Sequence, residues 1–555
     1  MSRTLTSKST LDAMRKDAKR WLKALRASEP AARQRLAAAW PGAPAEPALR
    51  DVQQALAQEY GLSSWIALKA AIDDLALERQ SRAERVAIVL RHAWDGDPAL
   101  AGRILGRDPT IAGDSLFTSA ICGDVAEVER RLARDPQAAH RTGGAQQWTA
   151  LAYVTYGRLD SVNAVTIARL LLAAGADPNF QFDDGWGTPF KVLTGAIRLG
   201  EGARPSHAQV AELVELLIDA GADVYDSQSL YNVSIVGADT HWYDVLWRYA
   251  EAMGDLDAWR VRGEGRLGDH LGVSTLDYLL GNAVGQNHLE RARWLLARGA
   301  DANAPHAYSK RPVHVMAQLS GFADMVVLLE QHGAARVPLT GIEAFRAACL
   351  GHDAAKARAL MDRQPDLIRH PGPLLAAAEL GNAAAVGLLL DLGAEVQGVD
   401  HDGISPLHRA VQSGSLDAVD RVLAAGAEID LRERRWNGTP LTWSRVLHQP
   451  HVTARLAPIS QDVRGLCWLG LTERLSAVLD GEPTRIAHSL SKDENPTHLF
   501  CLPDDEEQAA DVVRILLKYG ADPAVRNPAG KTAADVARLR GLDEATELME
   551  AGHAD

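Results

Sequence analysis

A unit of about 30 residues that recurs along the chain is the feature that most constrains its fold. The clearest copy runs from Asp402 to Asp430 and reads DGISPLHRAVQSGSLDAVDRVLAAGAEID. It predicts a turn, a short helix capped by Ser405, a second turn, an antiparallel helix and an exit loop from Gly426. Such a unit has two apolar faces and too few residues to bury both. It therefore needs neighbours of the same kind.

Glycine-alanine pairs mark the ends of these units along most of the sequence. The spacing is 34 residues from Gly299 to Gly333 and 33 residues from Gly393 to Gly426. A period of about 33 residues predicts a repeat array whose core grows along one direction. The glycines of these pairs are Gly175, Gly221, Gly299, Gly333, Gly393, Gly426 and Gly520.

The unit motifs resemble those of ankyrin repeats. Three helix-opening boxes carry the resemblance, namely Ser405-Pro406-Leu407-His408, Thr439-Pro440-Leu441 and Thr188-Pro189-Phe190. Unit ends such as LLLAAGADPN at 170–179 and WLLARGADAN at 294–303 carry it as well. The resemblance covers roughly residues 83–550. It implies an all-α solenoid of stacked helix pairs, with hairpin loops along one edge where partner proteins bind.

The resemblance also sets the expected domain organisation. Residues 81–555 are expected to form the solenoid, with roughly 11–13 units, several of them degenerate. Insertions are expected near 194–209, 226–270 and 447–505, where the repeat pattern fails. Residues 1–80 are expected to form a small helical N-terminal cap over the first repeat, similar to the leader of some bacterial members. The basic side of its first helix is expected to face solvent or to dock on the acidic array.

Charge and cysteine usage bound the partners and the compartment. The formal net charge is −13, which disfavours nucleic acid and anionic membranes as partners. No apolar run approaches the roughly 18 residues of a transmembrane helix. The four cysteines form no CxxC pair, which favours reduced thiols in the cytoplasm. Arginine outnumbers lysine and alanine is abundant, which favours a bacterial source. We expect a protein that is monomeric by itself.

No common catalytic or cofactor motif occurs in the chain. The patterns GxxxxGK[ST], GxSxG and HExxH are absent, and His408 is expected to tie down its own turn. The sequence therefore predicts no catalytic residues, no metal and no cofactor. Two alternatives stay open. One is a peptide or small-molecule receptor in the concave groove. The other is an enzyme built from the insertions, whose side chains would be His241, Tyr243, Asp244, His448, His451 and His498.

Two hairpin tips are rich in the aromatic and arginine side chains that dominate protein interfaces. The first, residues 179–187, is called the Phe tip, and the second, residues 431–438, the Arg-Trp tip. The sequence predicts a non-catalytic scaffold that binds a partner protein through these tips and the concave face. The alternative is that the aromatic rings stack between neighbouring hairpins while the arginines stay solvated. The candidate partner-binding residues are Phe180, Phe182, Trp186, Tyr225, His306, Tyr308, Arg432, Arg434, Arg435 and Trp436.

Overall fold

A computed structural model describes residues 3–552 except 7, 8, 46, 48, 93, 95, 97, 160, 161, 184, 186, 187, 198–208 and 488–497. The candidate residue Trp186 and most of the expected insertion at 194–209 lie outside the described residues.

The first helices of the chain form a bundle with its own apolar core. Thr10 and Ser64 begin the first and the fourth helix, because each side chain accepts a hydrogen bond from a backbone N–H three residues on. Trp21, Leu22 and Leu56 pack in the centre of the bundle. The helices are α1 (Leu11–Arg26), α2 (Pro30–Ala39), α3 (Leu49–Glu59) and α4 (Trp65–Arg79).

The rest of the chain forms successive helix pairs, in which the first helix of each pair lies on the inner layer and the second on the outer layer. The pairs before residue 300 are α5 (Arg82–Arg91) with α6 (Pro98–Arg107), α7 (Leu116–Ile121) with α8 (Val125–Arg134), α9 (Ala150–Tyr156) with α10 (Ala164–Ala173), α11 (Val192–Ile197) with α12 (Val210–Asp219), α13 (Ser227–Ser234) with α14 (His241–Met253), and, after the short α15 (Asp257–Arg260), α16 (Thr275–Gly285) with α17 (Leu289–Ala297).

The pairs continue to the end of the described chain. They are α18 (Val313–Leu319) with α19 (Ala323–Gln331), α20 (Gly341–Leu350) with α21 (Ala354–Arg363), α22 (Gly372–Glu379) with α23 (Ala383–Asp391), α24 (Pro406–Ser413) with α25 (Leu416–Ala424), α26 (Pro440–Val446) with α27 (Pro450–Leu456), α28 (Val463–Trp468) with α29 (Thr472–Gly481), the single helix α30 (Glu506–Lys518), and α31 (Ala533–Leu539) with α32 (Asp543–Ala551).

Short strands and 3₁₀ turns join these helices. Strand β1 (Thr142–Gly143) pairs antiparallel with β2 (Trp148–Thr149), and β3 (Gln181–Phe182) pairs antiparallel with β4 (Phe190–Lys191). The 3₁₀ turns are Pro109–Gly113, Pro136–His140, Asp269–Leu271, Pro365–Arg369, Pro483–Ala487 and His498–Phe500.

The unit at 402–430 folds as its sequence predicts. Ser405 caps α24 and exchanges hydrogen bonds with His408, while Pro406 takes the first helical position. Gly414 ends α24 with a φ of 71°, in the left-handed region that glycine adopts without strain. Leu407 and Val419 are fully buried between neighbouring pairs, so the unit is stabilised by its neighbours.

Two segments expected as insertions contain helices that belong to the stack. Within 226–270, α13 packs between the inner helices α11 and α16, and the buried side chains of α14 belong to the same apolar core. Within 447–505, α27 pairs with α26, α28 pairs with α29, and the turn His498–Phe500 lies between α28 and α31. The units that begin with α13 and α28 lack the helix-opening box, which is why the sequence pattern fails there although the packing continues.

The array core consists of two apolar clusters. The first extends as far as Ala334 and the second begins at Phe345. The inner helices α18 and α20 still pack against each other across this boundary. The segment 335–340 between the clusters contributes no buried apolar side chain. The stack is therefore continuous on its inner layer at this joint, whereas its apolar core is not.

The N-terminal bundle contacts both ends of the array. At the first end, the Arg107 guanidinium lies 2.6 Å from the Asp74 carboxylate. At the far end, the Lys19 ammonium lies 3.3 Å from Glu506 and 3.8 Å from Asp543. The bundle thus contacts the first helix pair, which the sequence leads us to expect it to cover, and its basic helix also docks on acidic residues of the last units. We call the contact of the bundle with α30 and α32 the end-to-end contact.

The end-to-end contact depends mainly on charge. Arg15 lies 3.5 Å from Glu506, and Arg50 lies 3.7 Å from Glu507. A cavity of about 590 Å³ separates the two surfaces beside these pairs, so apolar packing there is incomplete. The attraction therefore comes largely from opposite charges, which salt screens when they are exposed.

Candidate functional site

The Arg-Trp tip is built around one buried carboxylate. Glu433 is 1% exposed, although it lies in a surface hairpin. Its carboxylate accepts backbone N–H hydrogen bonds from Arg435 at 2.6 Å, from Trp436 at 3.0 Å and from Gly438 at 2.8 Å. A carboxylate that receives several N–H donors satisfies groups that a tight loop would otherwise leave without partners. Glu433 thus organises the loop from within.

The outer surface of the same tip carries exposed side chains in defined positions. Trp436 is 59% exposed and places one edge against Trp443, with ring centroids 6.1 Å apart. The Arg435 guanidinium lies 4.7 Å from the centre of the Trp436 ring, a cation–π distance. Arg434 is exposed, and its guanidinium donates to the His401 carbonyl at 3.2 Å. The ordered backbone thus holds an indole with one guanidinium against its face, and a second exposed arginine nearby in the chain, on the surface.

Arg432 belongs to the interior of the tip and not to its surface. Its guanidinium forms an ion pair with the Asp462 carboxylate and donates to the Asn437 carbonyl at 2.8 Å. Asp462 also accepts from the Thr439 hydroxyl at 2.8 Å. These contacts tie the tip to the following unit, so they leave Arg432 as a structural residue within the tip.

His408 connects the helix-opening box to the tip. Its Nδ1 lies 2.9 Å from the Ser405 hydroxyl, and its Nε2–H donates to the Gly438 carbonyl at 3.2 Å. The ring is fully buried and its edge faces Trp443 at 5.1 Å. Burial lowers the pKa of His408 to about 4, against the opposing effect of the Gly438 hydrogen bond. The imidazole is therefore neutral and structural at neutral pH.

Acidification is expected to destabilise the units around His408. The unfolded chain binds a proton at this residue near its ordinary pKa of 6.5, whereas the folded chain does so only near 4. Stability conferred by the neutral ring is thus lost as the pH falls from about 6.5 to about 4, by about 3 kcal/mol over the whole window. Urea unfolding of wild type and His408→Asn at pH 7.5 and 4.5 checks this. The wild type should lose more stability than the variant, and equal losses would contradict the assignment.

The described aromatic residues of the Phe tip pack inward. The Phe182 ring stacks on Trp148 with centroids 4.2 Å apart and meets the edge of Trp94 at 5.3 Å. Phe190, which pairs with Phe182 across β3 and β4, lies 5.7 Å away. Phe180 is partly buried against the same core. Phe180 and Phe182 thus pack as in the alternative in which the aromatic rings of the tips stack inside the array. Trp186 lies outside the described residues.

Of the remaining tip candidates, two are partly buried and one is exposed. The Tyr225 hydroxyl lies 2.6 Å from the Thr275 hydroxyl and accepts from the Leu267 N–H at 2.9 Å, so its polar end is satisfied internally. His306 is half-buried, and burial lowers its pKa while Lys310 adds to the effect. Tyr308, by contrast, is 62% exposed. It remains available at the edge of the array.

The side chains of the enzyme alternative are dispersed. Tyr243 is buried in the first core cluster, and Asp244 accepts from the Trp294 indole at 2.6 Å. His451 contacts the Gly414 carbonyl at 2.9 Å, while His448 occupies a turn with a φ of 53°. His498 is buried near the second cluster, where burial lowers its pKa to about 4. Tyr243, Asp244, His451 and His498 thus take part in packing or in hydrogen bonds within the array, and His448 lies in a turn.

Within the part of the chain that the structure describes, no three His, Cys, Asp or Glu side chains are grouped to hold a metal ion. Among the described helices, none has the length and apolar composition for crossing a bilayer.

Sequence patterns alone do not reveal Glu433, and for the end-to-end contact they indicate docking of the basic helix on the acidic array as one alternative without identifying the residues that meet. Glu433 carries one weak signal, an acidic residue directly before two arginines and a tryptophan in a predicted turn. Nothing in the order of residues indicates that Lys19 reaches Glu506, because that contact depends on the accumulated curvature of the whole stack.

The chain is similar to several proteins with ankyrin repeats. A family model described as ankyrin repeats (3 copies) matches residues 345–433. NF-kappa-B inhibitor delta from Mus musculus is 30% identical over 208 residues, which cover 30% of this chain and 63% of the relative. The putative ankyrin repeat protein FPV244 from Fowlpox virus is 30% identical over 140 residues, which cover 25% of this chain and 21% of the relative.

Transient receptor potential cation channel subfamily A member 1 from Homo sapiens is 29% identical over 167 residues, which cover 27% of this chain and 15% of the channel. The chain thus spans less than two thirds of each of these relatives. A solved chain from the complex of a Bdellovibrio bacteriovorus predatory endopeptidase with an immunity protein is 22% identical. That match covers 32% of this chain and 96% of the solved chain, and its TM-score of 0.25 is too low to support an argument.

Ankyrin repeats generally mediate protein–protein interaction, and proteins built from them are typically non-catalytic. Ankyrin repeats are thus present in this chain, matched at residues 345–433, and the helix-opening boxes and stacked helix pairs form an all-α repeat solenoid.

Proposed function

We propose that the protein is a non-catalytic scaffold that binds a partner protein through the exposed face of the Arg-Trp tip, with the concave face as a second contact. The observation that carries this proposal is the combination of Trp436, Arg435 and Arg434 on one ordered, exposed loop. Tryptophan and arginine are over-represented among residues that dominate binding energy. An ordered loop also loses little conformational entropy on binding.

The proposal revises the set of partner-binding residues. Trp436, Arg435, Arg434 and Tyr308 stay in it because their side chains are exposed. Phe182, Tyr225 and Arg432 leave it because their contacts are internal. Phe180 and His306 are secondary, since both are partly buried.

The proposed setting is the cytoplasm of a bacterium. Cys122, Cys349, Cys467 and Cys501, all among the described residues, form no disulfide bond, which supports a reducing compartment. The excess of arginine over lysine supports the bacterial source. The net charge of −13 supports a partner that is neither nucleic acid nor membrane, and we propose that the protein is a monomer in the absence of its partner.

Replacing Arg435 and Trp436 together by alanine is expected to weaken partner binding about thirtyfold, the factor that a loss of about 2 kcal/mol gives. The melting temperature should stay close to that of the wild type, because both side chains are exposed. Quantitative pull-down from an extract of the native host, followed by affinity measurement on the captured protein, checks this result.

Leu539→Ala is the matched control, since Leu539 is 72% exposed at a site far along the chain from the tip. It should leave the affinity unchanged. Equal capture by the double variant and by wild type would remove the Arg-Trp tip from the binding surface.

A further inference from the structure

A groove crosses the inner layer at the joint between the two core clusters. It encloses a cavity of about 360 Å³ and spans α18, α20 and the start of α22. That volume lies within the range of sites that hold small ligands or a few side chains of a peptide. Its apolar lining comes from Met316, Leu319, Ile342 and Pro373. We call it the Arg346 groove after the basic residue at its centre.

The joint between the two core clusters leaves space for the Arg346 groove. Segment 335–340 contributes no buried apolar side chain, so the inner helices meet where the core is interrupted. The next unit ends in the 3₁₀ turn Pro365–Arg369 and not in a long hairpin. The wall beside His370 and Pro373 is therefore low, and the groove stays open to solvent.

Arg346 has an incomplete set of partners. Its Nε–H donates to the Leu319 carbonyl at 3.0 Å, which fixes the side chain on the groove wall. Within the described residues, the guanidinium forms no ion pair and no other hydrogen bond. Burial lowers the pKa of Arg346, and Glu379 opposes that shift. Its ordinary pKa is high enough that the group stays charged near neutral pH.

The nearby carboxylates are already paired with other arginines. Glu343 lies 2.7 Å from the Arg311 guanidinium. Glu379 lies 3.2 Å from Arg409, which also contacts Asp400. Arg346 is therefore the arginine of the groove lining without an ion pair to these carboxylates. The lining holds two arginines against one glutamate, although the whole chain carries a net charge of −13.

We infer that the Arg346 groove binds an extended segment of a partner protein that presents one glutamate or aspartate flanked by apolar residues. The two Nη groups of Arg346 match the two oxygens of a carboxylate, and the apolar lining accepts the neighbouring side chains. This inference rests on the proposed function, because it specifies what the concave face recognises. It is independent of the Arg-Trp tip.

Fluorescence anisotropy with defined peptides tests the inference. The probes are labelled, end-capped peptides Ala-Leu-Xaa-Leu-Ala in which Xaa is Glu, Gln or Lys. The Glu peptide should bind the full-length protein at least tenfold more tightly than the Gln peptide, and the Lys peptide should bind more weakly still. Arg346→Met should weaken binding of the Glu peptide at least tenfold, whereas Arg346→Lys should retain part of it because the charge remains.

Arg369→Met is the matched control, since Arg369 is an exposed arginine paired with Asp366 outside the groove lining. It should bind the Glu peptide like wild type. Should Arg346→Met fail to fold, the Arg346→Lys variant and the comparison of the Glu peptide with the Gln peptide still test the inference. Equal binding of the Glu and Gln peptides, no binding of the Glu peptide at 1 mM, or equally tight binding of free succinate would overturn the inference. Because the probes are peptides and not the captured partner, these failures are distinct from failure of the tip variant.

Discussion

Glu433→Gln is expected to lower the free energy of unfolding of the central units by about 3 kcal/mol. The substitution replaces one carboxylate oxygen by an amide donor, which would face the N–H groups of Arg435, Trp436 and Gly438. A buried donor left without an acceptor costs about 1–3 kcal/mol, and the charge assistance of the remaining bonds is lost as well. The loop should open locally before the array unfolds.

Hydrogen exchange of the amides of residues 435, 436 and 438 measures this directly. Their exchange should accelerate at least a hundredfold in the variant, in line with a loss of about 3 kcal/mol. Glu428→Gln serves as the control, because Glu428 is exposed on the preceding loop and should leave these amides protected. Unchanged exchange in Glu433→Gln would show that the carboxylate does not hold the tip together.

Lys19→Glu is expected to detach the N-terminal bundle from the last units. The substitution places a carboxylate beside Glu506 and Asp543, where the wild type has an ammonium group that is 8% exposed. Breaking a largely buried charge pair by removing one partner costs about 3–5 kcal/mol. The incomplete apolar packing beside these pairs offers little to offset that loss. Small-angle scattering should therefore report a larger radius of gyration.

The double variant Lys19→Glu, Glu506→Lys should restore the wild-type radius of gyration in part, because it reverses the pair. Lys23→Glu is the control, since Lys23 is exposed on the same helix and makes the same change of net charge. Raising the salt concentration should expand the wild type less than Lys19→Glu does, because partly buried pairs are screened only weakly. Scattering curves of wild type and Lys19→Glu that coincide would refute an end-to-end contact held by charge.

The sequence predicts the regular units well because their signals are local. Ser405, Pro406 and Gly414 act within one unit, so the cap, the first turn and the helix end can be read from neighbouring residues. The predicted ankyrin repeats are confirmed by the family match, and the predicted all-α solenoid is confirmed by the fold. Units without the box, such as α13 with α14, were read as insertions because inner and outer helices can pack without that local signature.

The candidate site is less predictable because it depends on contacts between units. Phe182 and Trp436 look alike in sequence, as aromatic residues at hairpin tips. Trp148 and Trp94 cover Phe182 from preceding units, whereas Trp436 meets Trp443 edge-on, carries Arg435 on its ring and stays exposed. The same holds for Arg432 and Arg435, of which only the first meets an acidic residue of the following unit. Hydropathy patterns do not specify such neighbours.

The central claim is that partners bind at the Arg-Trp tip, and site-specific photocrosslinking tests it most directly. A photoreactive phenylalanine analogue is placed at position 436 in one protein and at position 539, which is also exposed, in another, and both are irradiated in cells of the native host. We predict a discrete crosslinked product from position 436 and none from position 539. Absence of a product from position 436, or the same product from both positions, would contradict the account.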